Sequence, residues 1–390
     1  MNTEERAALI GLHHCLPLLS SSQAARISAH GPLRTLESLR AGRVPAEVTA
    51  IRKASLEAAW VSAARSCDPD ASVRAHAEAG VWVAAPDDAD WPFAINDPAP
   101  PALLFGRGDR SVLGARPSVG VIGTRNCTAI GRQVATQLGA CLSAAGIAVV
   151  SGLALGIDGS AHRGVIDVGG EGPPIAVVAG GLDVVYPRRH ARLHREVIEQ
   201  GLIVSESALG VGVEPWRFLA RNRLIAALSS LLVVVESKAA GGALATVTEA
   251  NARGVDVGAV PGSVLSPTSA GTNALLAEGA LVVRDVDDIF FHLGLRPDRP
   301  DRPSRVDAHH PGRLATDLDP LEAAIVAEVR AGTDSLESLA SGVGRPMGEV
   351  LSAITRLQLA GEVERVGSRV VPPASSNRGD APSARKAPLR

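Results

Sequence analysis

Basic residues follow two of the predicted strands and crowd the start of one predicted helix, an arrangement that suits phosphate binding. Arg125 comes directly after an apolar strand at 119–123, and Lys238 follows another strand at 231–236. Between them, the run RFLARNR at 217–223 carries three arginines and an aromatic ring. Guanidinium groups pair bidentately with phosphate oxygens, and an aromatic ring offers a face on which a base can stack. Several such residues at one edge predict a groove for a single-stranded nucleic acid.

The positions of these arginines indicate function to different degrees. For Arg125, phosphate binding is favoured over a surface salt bridge. Arg221 and Arg223 also favour phosphate binding, but one of them could instead pair with Glu206 or Glu236 and brace the sheet.

Asp158 and His162 lie four residues apart, so they share one face of a predicted helix. Such a pair could act as an acid and a base or contribute to a metal site. The favoured interpretation is structural, a carboxylate at a helix start and a histidine that fixes a loop. No third ligand follows at a spacing typical of metals, so we expect no metal site and no catalytic residue.

The elements that must position these residues form a regular alternation of strands and helices. Most of the strands are continuously apolar, as expected for parallel strands buried on both faces. The predicted strands are 119–123, 147–152, 175–180, 202–206, 231–236, 257–261 and 280–283. The predicted helices between them include 129–145, 191–200, 218–228, 244–253 and 273–278. This pattern predicts an α/β fold with an extended, Rossmann-like, doubly wound sheet, which binds ligands beyond the carboxyl ends of its strands.

Several common ligands of this fold are disfavoured by missing motifs. The first turn lacks G-x-G-x-x-G, and the strand ending at Ser151 has no acidic residue to hold a ribose, which disfavours a dinucleotide. The sequence contains no G-x-x-x-x-G-K-[ST] loop for ATP and no G-x-S-x-G elbow of an α/β-hydrolase. We therefore expect no cofactor.

Composition limits the other classes of function. The formal net charge of −2 argues against a nucleic-acid coat over the whole surface, so phosphate binding must be local. The four cysteines form no C-x-x-C pair, which favours reduced cytosolic thiols. The acidic start without a long apolar core predicts no signal peptide, and no run of about 18 apolar residues predicts a membrane span. The sequence therefore predicts a cytoplasmic protein.

Changes in composition and in the spacing of apolar residues along the chain predict five segments. Short helical patterns fill an N-terminal helical domain at 1–78, and the Rossmann-like domain follows at 79–292. A linker rich in Pro and Arg occupies 293–315. Three short helices and a strand pair at 316–371 have the pattern of a winged-helix domain, and the tail at 372–390 is predicted to be disordered.

The order and spacing of several motifs add a family resemblance. The runs are GTRNCTAIG, SGLALGID with Ala161-His162, GGLDVVYP, FLARNRLIAALS, VVVES, AVPGS and GTNALLAEGA. Over roughly 80–289 the sequence resembles the DNA-processing protein A family (DprA/Smf). The helical start and the winged-helix pattern at the end also resemble that family's common architecture.

The resemblance implies a non-enzymatic recombination mediator. Such a protein would bind and protect incoming single-stranded DNA, form a homodimer and load the RecA recombinase during natural transformation. By motif, Arg125 would bind phosphate, and Gly152 would let the DNA backbone approach. The implied site comprises Thr124, Arg125, Gly152, Phe218, Arg221, Asn222, Arg223 and Lys238.

The sequence departs from the family pattern at three places. Leu219 replaces the proline of the F-P-x-R-N-R form, and His190 replaces an asparagine after Tyr-Pro. The turn at 241–246 reads GGALAT, where Ser-Gly-Ser-Leu-x-Thr is common, so two hydroxyls that could bind phosphate are missing. None of these changes affects the arginines.

Two other hypotheses compete with DNA binding by the sheet. A nucleoside-monophosphate phosphoribohydrolase of the LOG type has a similar fold and a P-G-G-x-G-T-x-x-E signature. The run at 241–249 resembles that signature imperfectly and would make Glu249 the acid–base group, although a helix-surface role is favoured. Alternatively, the winged-helix segment is the main DNA reader and the sheet only a scaffold.

Overall fold

A computed structural model describes residues 1–16, 18–48, 54–295, 319–359, 362–366 and 369–371. The chain divides into two compact units, Met1–Pro297 and Asp298–Arg390. The predicted linker at 293–315 lies mostly outside the described residues, and the tail at 372–390 lies wholly outside them.

The first unit contains a large, mostly parallel sheet. Its strands are β1 (Trp82–Ala84), β2 (Leu104–Gly108), β3 (Ser118–Ile122), β4 (Ala148–Ser151), β5 (Pro174–Val177), β6 (Leu202–Ser205), β7 (Leu231–Val234), β8 (Asp256–Ala259) and β9 (Leu281–Val282). Among the described residues they pair in the order β1-β2-β6-β5-β4-β3-β7-β8-β9. The seven strands β3 to β9 are parallel to one another, whereas β2 pairs antiparallel with β6 and β1 pairs antiparallel with β2 at one edge. The predicted α/β class and parallel sheet are confirmed.

Helices connect the strands and cover both faces of the sheet. They are α6 (Ala129–Ala144), α7 (Ile157–Val168), α8 (Ala191–Gln200), α9 (Pro215–Ala227), α10 (Ala243–Asn251), α11 (Ala270–Ala277) and α12 (Val286–His292). One apolar core contains Val119 and Val121 of β3, and a second contains Ile122, so alternate residues of this strand pack on opposite faces. Burial on both faces explains why the strands read as continuous apolar runs.

The direction in which the chain adds successive strands to the sheet reverses at β3. From β3 the chain builds outward through β4 and β5 to β6, and it then crosses back to place β7 on the other side of β3. The carboxyl ends of β3 and β7 therefore meet next to the start of α9. Crevices of this kind are where open α/β sheets bind ligands.

Glycines bring α6 and α7 unusually close together. A Cβ atom on Gly139 would lie 2.1 Å from the backbone oxygen of Ala161, and one on Gly164 would lie 1.9 Å from that of Thr136. Backbone therefore packs directly on backbone, and the two helices hold the loops that precede them in a fixed relation.

Among the residues that the structure describes, five helices precede the sheet: α1 (Thr3–Cys15), α2 (Ser21–His30), α3 (Pro32–Arg40), α4 (Ala54–Ser66) and α5 (Pro69–Glu78). Their core includes Leu9, Leu12 and the fully buried Trp60, and it is continuous with Phe105 of β2. The predicted boundary between 78 and 79 stays a prediction.

The second unit comprises α13 (Pro320–Arg330), α14 (Leu336–Val343), α15 (Met347–Leu359) and the antiparallel pair β10 (Glu364–Val366) and β11 (Arg369–Val371). Ile325, Leu339 and Ile354 lie in its separate core. Asp319 caps α13, and Arg356 of α15 binds Glu322 of α13 at 2.6 Å. The elements occur where the sequence predicts them, and their assignment as a winged-helix domain stays a prediction.

Predicted and observed elements differ mainly at their ends. The helix predicted at 218–228 begins at Pro215, because proline suits the first helical position, where no backbone N–H is needed. The strand predicted at 257–261 ends at Ala259. No helix in the described part of the chain is long and apolar enough to span a membrane.

Candidate functional site

A cavity of 360 Å³ opens at the carboxyl ends of β3 and β7, between the starts of α9 and α10. We call it the Arg125 cavity. The predicted site residues on its wall are Thr124, Arg125, Phe218, Arg221, Asn222 and Lys238. The structure thus brings together six of the eight predicted residues, from segments more than a hundred positions apart.

The loop that carries Arg125 is fixed on both sides. Thr124 donates its backbone N–H to the backbone oxygen of Glu236 at 2.8 Å, and its own carbonyl accepts the N–H of Ile157 at 3.3 Å. The Glu236 carboxylate accepts hydrogen bonds from the backbone N–H and the hydroxyl of Thr128 at the start of α6. A Cβ atom on Gly131 would lie 2.3 Å from the Glu236 carboxyl carbon, so glycine is needed for this contact. Sequence analysis considered Glu236 only as an arginine partner and missed its role in holding this loop.

Arg125 itself is exposed, and it makes no ion pair with any carboxylate in the described ranges. Its guanidinium carbon lies 4.7 Å from the centre of the Phe218 ring, a cation–π distance. The ring of Tyr186 also lies near Phe218, with the two ring centres 5.3 Å apart and the rings tilted by 54°. Within the described residues, Arg125 is thus a cation without a carboxylate partner that stacks on Phe218 at the cavity wall, and Phe218 in turn contacts Tyr186.

Tyr186 is a candidate that sequence analysis did not single out. It is the only tyrosine of the chain and follows the GGLDVV run, which continues β5 to the same edge of the sheet. It is 45% exposed, so part of the residue is accessible to a ligand. The sequence signal that could have identified Tyr186 is its position after a predicted strand that ends at the binding edge of the sheet.

Arg221 is a buried part of the cavity wall and is held in place by protein groups. Its guanidinium donates to the backbone oxygens of Gly152 and Val177, and it lies 3.7 Å from the carboxylate of Asp158. Burial lowers the pKa of Arg221 to about 10 and raises the pKa of Asp158, and the attraction between the two offsets part of each shift. Both side chains are almost completely enclosed, so Arg221 is a buried charge in the cavity wall that is already engaged by the protein.

Gly152 does not line the Arg125 cavity. A Cβ atom on it would lie 2.1 Å from the Arg221 guanidinium, so the space that glycine leaves is filled by that side chain. The close approach predicted for this position is made by an arginine. Contact between Gly152 and DNA stays a prediction.

Arg223 points away from the cavity. It binds the Glu206 carboxylate and the backbone oxygen of Ala99, and Glu206 also accepts the Ser21 hydroxyl of α2 at 3.0 Å. Burial raises the pKa of Glu206, and Arg223 opposes that change. This is the bracing pair that the sequence left open as an alternative, and it links the first helices to the end of β6.

Lys238 and the start of α10 form the opposite wall. The Lys238 side chain is exposed, and Gly241, Gly242 and Ala243 line the cavity next to it. Gly242 precedes α10 without a side-chain cap. Backbone N–H groups at a helix start favour anions, so this turn can contribute through its backbone although it lacks the two hydroxyls.

His162 lies in the core and away from the cavity wall. It is fully buried, and burial lowers its pKa to about 3, so the ring is neutral at physiological pH. No group of three or more metal-ligating side chains occurs among the described residues.

Glu249 does not line the cavity either. It lies on α10 and binds Arg253 one turn later at 2.6 Å, and Arg253 also binds Asp97. Glu249 is thus engaged by an arginine whose side chain is buried and which also holds the buried Asp97. This arrangement gives no support to the phosphoribohydrolase hypothesis.

The fold and the cavity define a doubly wound α/β protein with a cationic, aromatic-bearing binding site at the carboxyl edge of its parallel strands. Residues 82–294, more than half of the chain, match the family model described as DNA recombination-mediator protein A. The chain belongs to this family, and the resemblance inferred from its motifs is confirmed.

Similar proteins come from distant bacteria. The chain is 37% identical over 297 residues to a DNA processing protein DprA of Mycobacterium tuberculosis, covering 72% of this chain and 74% of the relative. It is 33% identical over 271 residues to Protein Smf of Escherichia coli, covering 68% and 70%. The solved structure of DNA processing protein A from Streptococcus pneumoniae superposes with a TM-score of 0.60 at 27% identity and covers 75% of this chain and 98% of that one.

Proposed function

We propose that this protein binds single-stranded DNA in the Arg125 cavity. The observation that carries the proposal is the exposed Arg125 guanidinium, which has no carboxylate partner in the described structure and lies 4.7 Å from the Phe218 ring. Arg125 can bind a phosphate while Phe218 and Tyr186 offer faces to unpaired bases. A duplex hides those base faces within its stack, so this pairing of groups favours a single strand.

The biological role that we propose is recombination mediation without catalysis. The protein would protect incoming single-stranded DNA and load the RecA recombinase during natural transformation, acting in the cytoplasm as a homodimer. Membership of the recombination-mediator family supports this role. The proposed organisation is an N-terminal helical domain at 1–78, the Rossmann-like domain at 79–292 and a winged-helix domain at 316–371.

The direct test compares the wild-type protein with an Arg125→Ala variant. Fluorescence anisotropy of labelled single- and double-stranded oligonucleotides is measured for both proteins. We expect the wild type to prefer the single strand and the variant to bind it about tenfold or more weakly, because a charge-assisted phosphate contact is lost. Equal affinity for the two DNA forms, or unchanged binding by the variant, would contradict the proposal.

The mediator role needs a second measurement. RecA filament formation is followed on single-stranded DNA that has first been coated with a single-strand-binding protein. We expect wild-type protein to accelerate filament formation and Arg125→Ala to fail. If both proteins accelerate it equally, DNA binding at Arg125 does not underlie mediation.

A further inference from the structure

Next to the Arg125 cavity lies a second concave surface that none of the predicted roles explains. It encloses 590 Å³ between the starts of α6 and α7 and the segment that leads into α8. We call it the basic groove. Its basic lining residues are Arg125, Arg132, Arg163, Arg189, His190 and Arg192, and no Asp or Glu contributes to its wall.

The positive charge of the basic groove is only partly neutralised by the protein. Glu196 binds Arg163 at 2.8 Å and Arg192 at 2.7 Å, and Asp167 lies 3.6 Å from Arg163. Within the described ranges, Arg132 and Arg189 have no carboxylate partner, and Arg125 has none either. Three exposed guanidinium groups therefore converge without counter-charge, and this leaves a local positive potential on a chain of net charge −2.

The groove is built from fixed parts. The His190 ring lies against α7 at Gly159, where a Cβ atom would come within 2.3 Å of the ring. His190 Nδ1 is also 3.0 Å from the backbone oxygen of Leu153. These contacts tie the segment that carries Arg189 to the helix that carries Arg163. The departure from the family pattern at position 190 thus has a structural role at this surface.

The lining identifies the ligand by its chemistry. Five arginines offer many donors to phosphate oxygens, and no Phe, Tyr or Trp lines the groove on which a base could stack. Arg125 lies on the wall of both concave surfaces, so the two are adjacent.

We infer that the basic groove binds the sugar-phosphate backbone of the DNA strand whose neighbouring nucleotides occupy the Arg125 cavity. This inference rests on the proposed function. It divides the binding site into one part that holds bases and phosphate and another that holds phosphates only. The second part adds affinity only when the strand is long enough to reach it.

The test combines charge reversal with a change in oligonucleotide length. The variant Arg132→Glu/Arg189→Glu alters two exposed side chains that make no ion pair within the described structure. Its control, Arg26→Glu/Arg74→Glu, makes the same change in net charge on exposed residues of α2 and α5. Anisotropy is measured over a range of salt concentrations with oligothymidylates of about 6 and about 20 nucleotides.

We expect the groove variant to bind the longer strand at least tenfold more weakly and the shorter strand within about twofold of wild type. Its log–log salt slope on the longer strand should be smaller by about 1.4, since about 0.7 is lost for each of two phosphates. The control should match the wild type on both strands. If the groove variant matches the control on the longer strand, or loses affinity equally for both lengths, the inference is wrong.

Titrating the Arg125→Ala variant with the same two oligonucleotides separates this inference from the proposed function. Binding of the shorter strand that depends on Arg125, together with no effect of the groove variant, refutes the basic groove alone. Binding of the shorter strand that does not depend on Arg125 refutes the proposed function.

Discussion

Individual arginines of this protein have different roles that follow from their surroundings. Arg125 is exposed and stacks on Phe218, whereas Arg221 is enclosed by two backbone carbonyls and a buried carboxylate. Removing water from Arg221 lowers its pKa to about 10, so its charge persists at physiological pH. Arg221 therefore contributes first to the fold, and Arg125 is the side chain free to contact a ligand.

This difference predicts that mutation of the two arginines affects stability to very different extents. Arg221→Met should lower the free energy of unfolding by about 3 kcal/mol, because it leaves the Asp158 carboxylate and two carbonyl oxygens buried without their partner. Arg125→Ala should change it by less than about 0.5 kcal/mol. Urea denaturation measures both.

The double variant Arg221→Met/Asp158→Leu serves as the control for this stability effect. It removes both buried charges, so it should recover part of the loss. An Arg221→Met protein as stable as wild type would show that the buried network contributes little to folding.

The aromatic ring of Phe218 should contribute to DNA affinity through stacking. Phe218→Ala is expected to weaken binding of single-stranded DNA by about 1–3 kcal/mol, and Phe218→Tyr should retain most of the affinity. Phe291→Ala is the matched control, since that ring is 87% exposed on α12, outside the Arg125 cavity. Anisotropy titrations measure the three variants, and equal affinities would refute stacking on Phe218.

At the scale of elements, the loop between β3 and α6 depends on the end of β7. Glu236 connects the two through its backbone oxygen to Thr124 and through its carboxylate to Thr128. The parallel pairing of β3 with β7 places these groups side by side. Arg125 thus owes its position to a strand that follows it by more than a hundred residues.

Mutation of Glu236 tests whether the loop that carries Arg125 depends on this anchor, because the loss of charge and the loss of loop order should change DNA affinity in opposite directions. Removing a negative charge near a phosphate site should by itself strengthen DNA binding. We expect Glu236→Ala instead to weaken it about tenfold, because an unanchored loop must be ordered when DNA binds. Glu236→Gln keeps an oxygen that can accept from Thr128 and should retain more affinity than Glu236→Ala.

Hydrogen exchange of residues 123–131 provides the independent measurement for the same variants. Exchange should be faster in Glu236→Ala than in wild type, with Glu236→Gln between them. Tighter DNA binding by Glu236→Ala would mean that charge, and not loop order, dominates.

At the scale of the whole molecule, the described residues form two units with separate cores. Both concave surfaces that we assign to DNA lie entirely in the first unit. In the second unit, Arg356 is engaged with Glu322 and Asp319. These positions favour the sheet over the winged-helix segment as the main DNA reader.

Truncation after Leu295 distinguishes these two possibilities. We expect a protein of residues 1–295 to bind an oligothymidylate within about threefold of the full chain, because the residues that we propose as phosphate contacts lie in the first unit. Circular dichroism provides the control for folding. Complete loss of binding by a folded truncated protein would assign DNA recognition to the second unit.

The sequence by itself determined the fold class, the order of strands and helices and the family. Strands that are buried on both faces must be apolar throughout, and such continuous apolar runs can be recognised in the sequence alone. The sequence also predicted that Arg125 and Phe218 lie at the carboxyl edge of the sheet. Local structure alone places a residue that closely follows a parallel strand or lies in the first turns of a helix at that edge.

Only the tertiary structure decided which arginines are free. Arg221 and Arg223 lie two residues apart on one helix, yet one is buried in the cavity wall beside Asp158 and the other braces Glu206. Contacts between segments that are distant in sequence also bring Tyr186 to Phe218 and Glu236 to Thr128. They likewise bring Arg132 and Arg189 to the wall of one groove. The physical reason is that burial and pairing set the availability of a charge, and both are properties of contacts between elements, not of the order of residues within one.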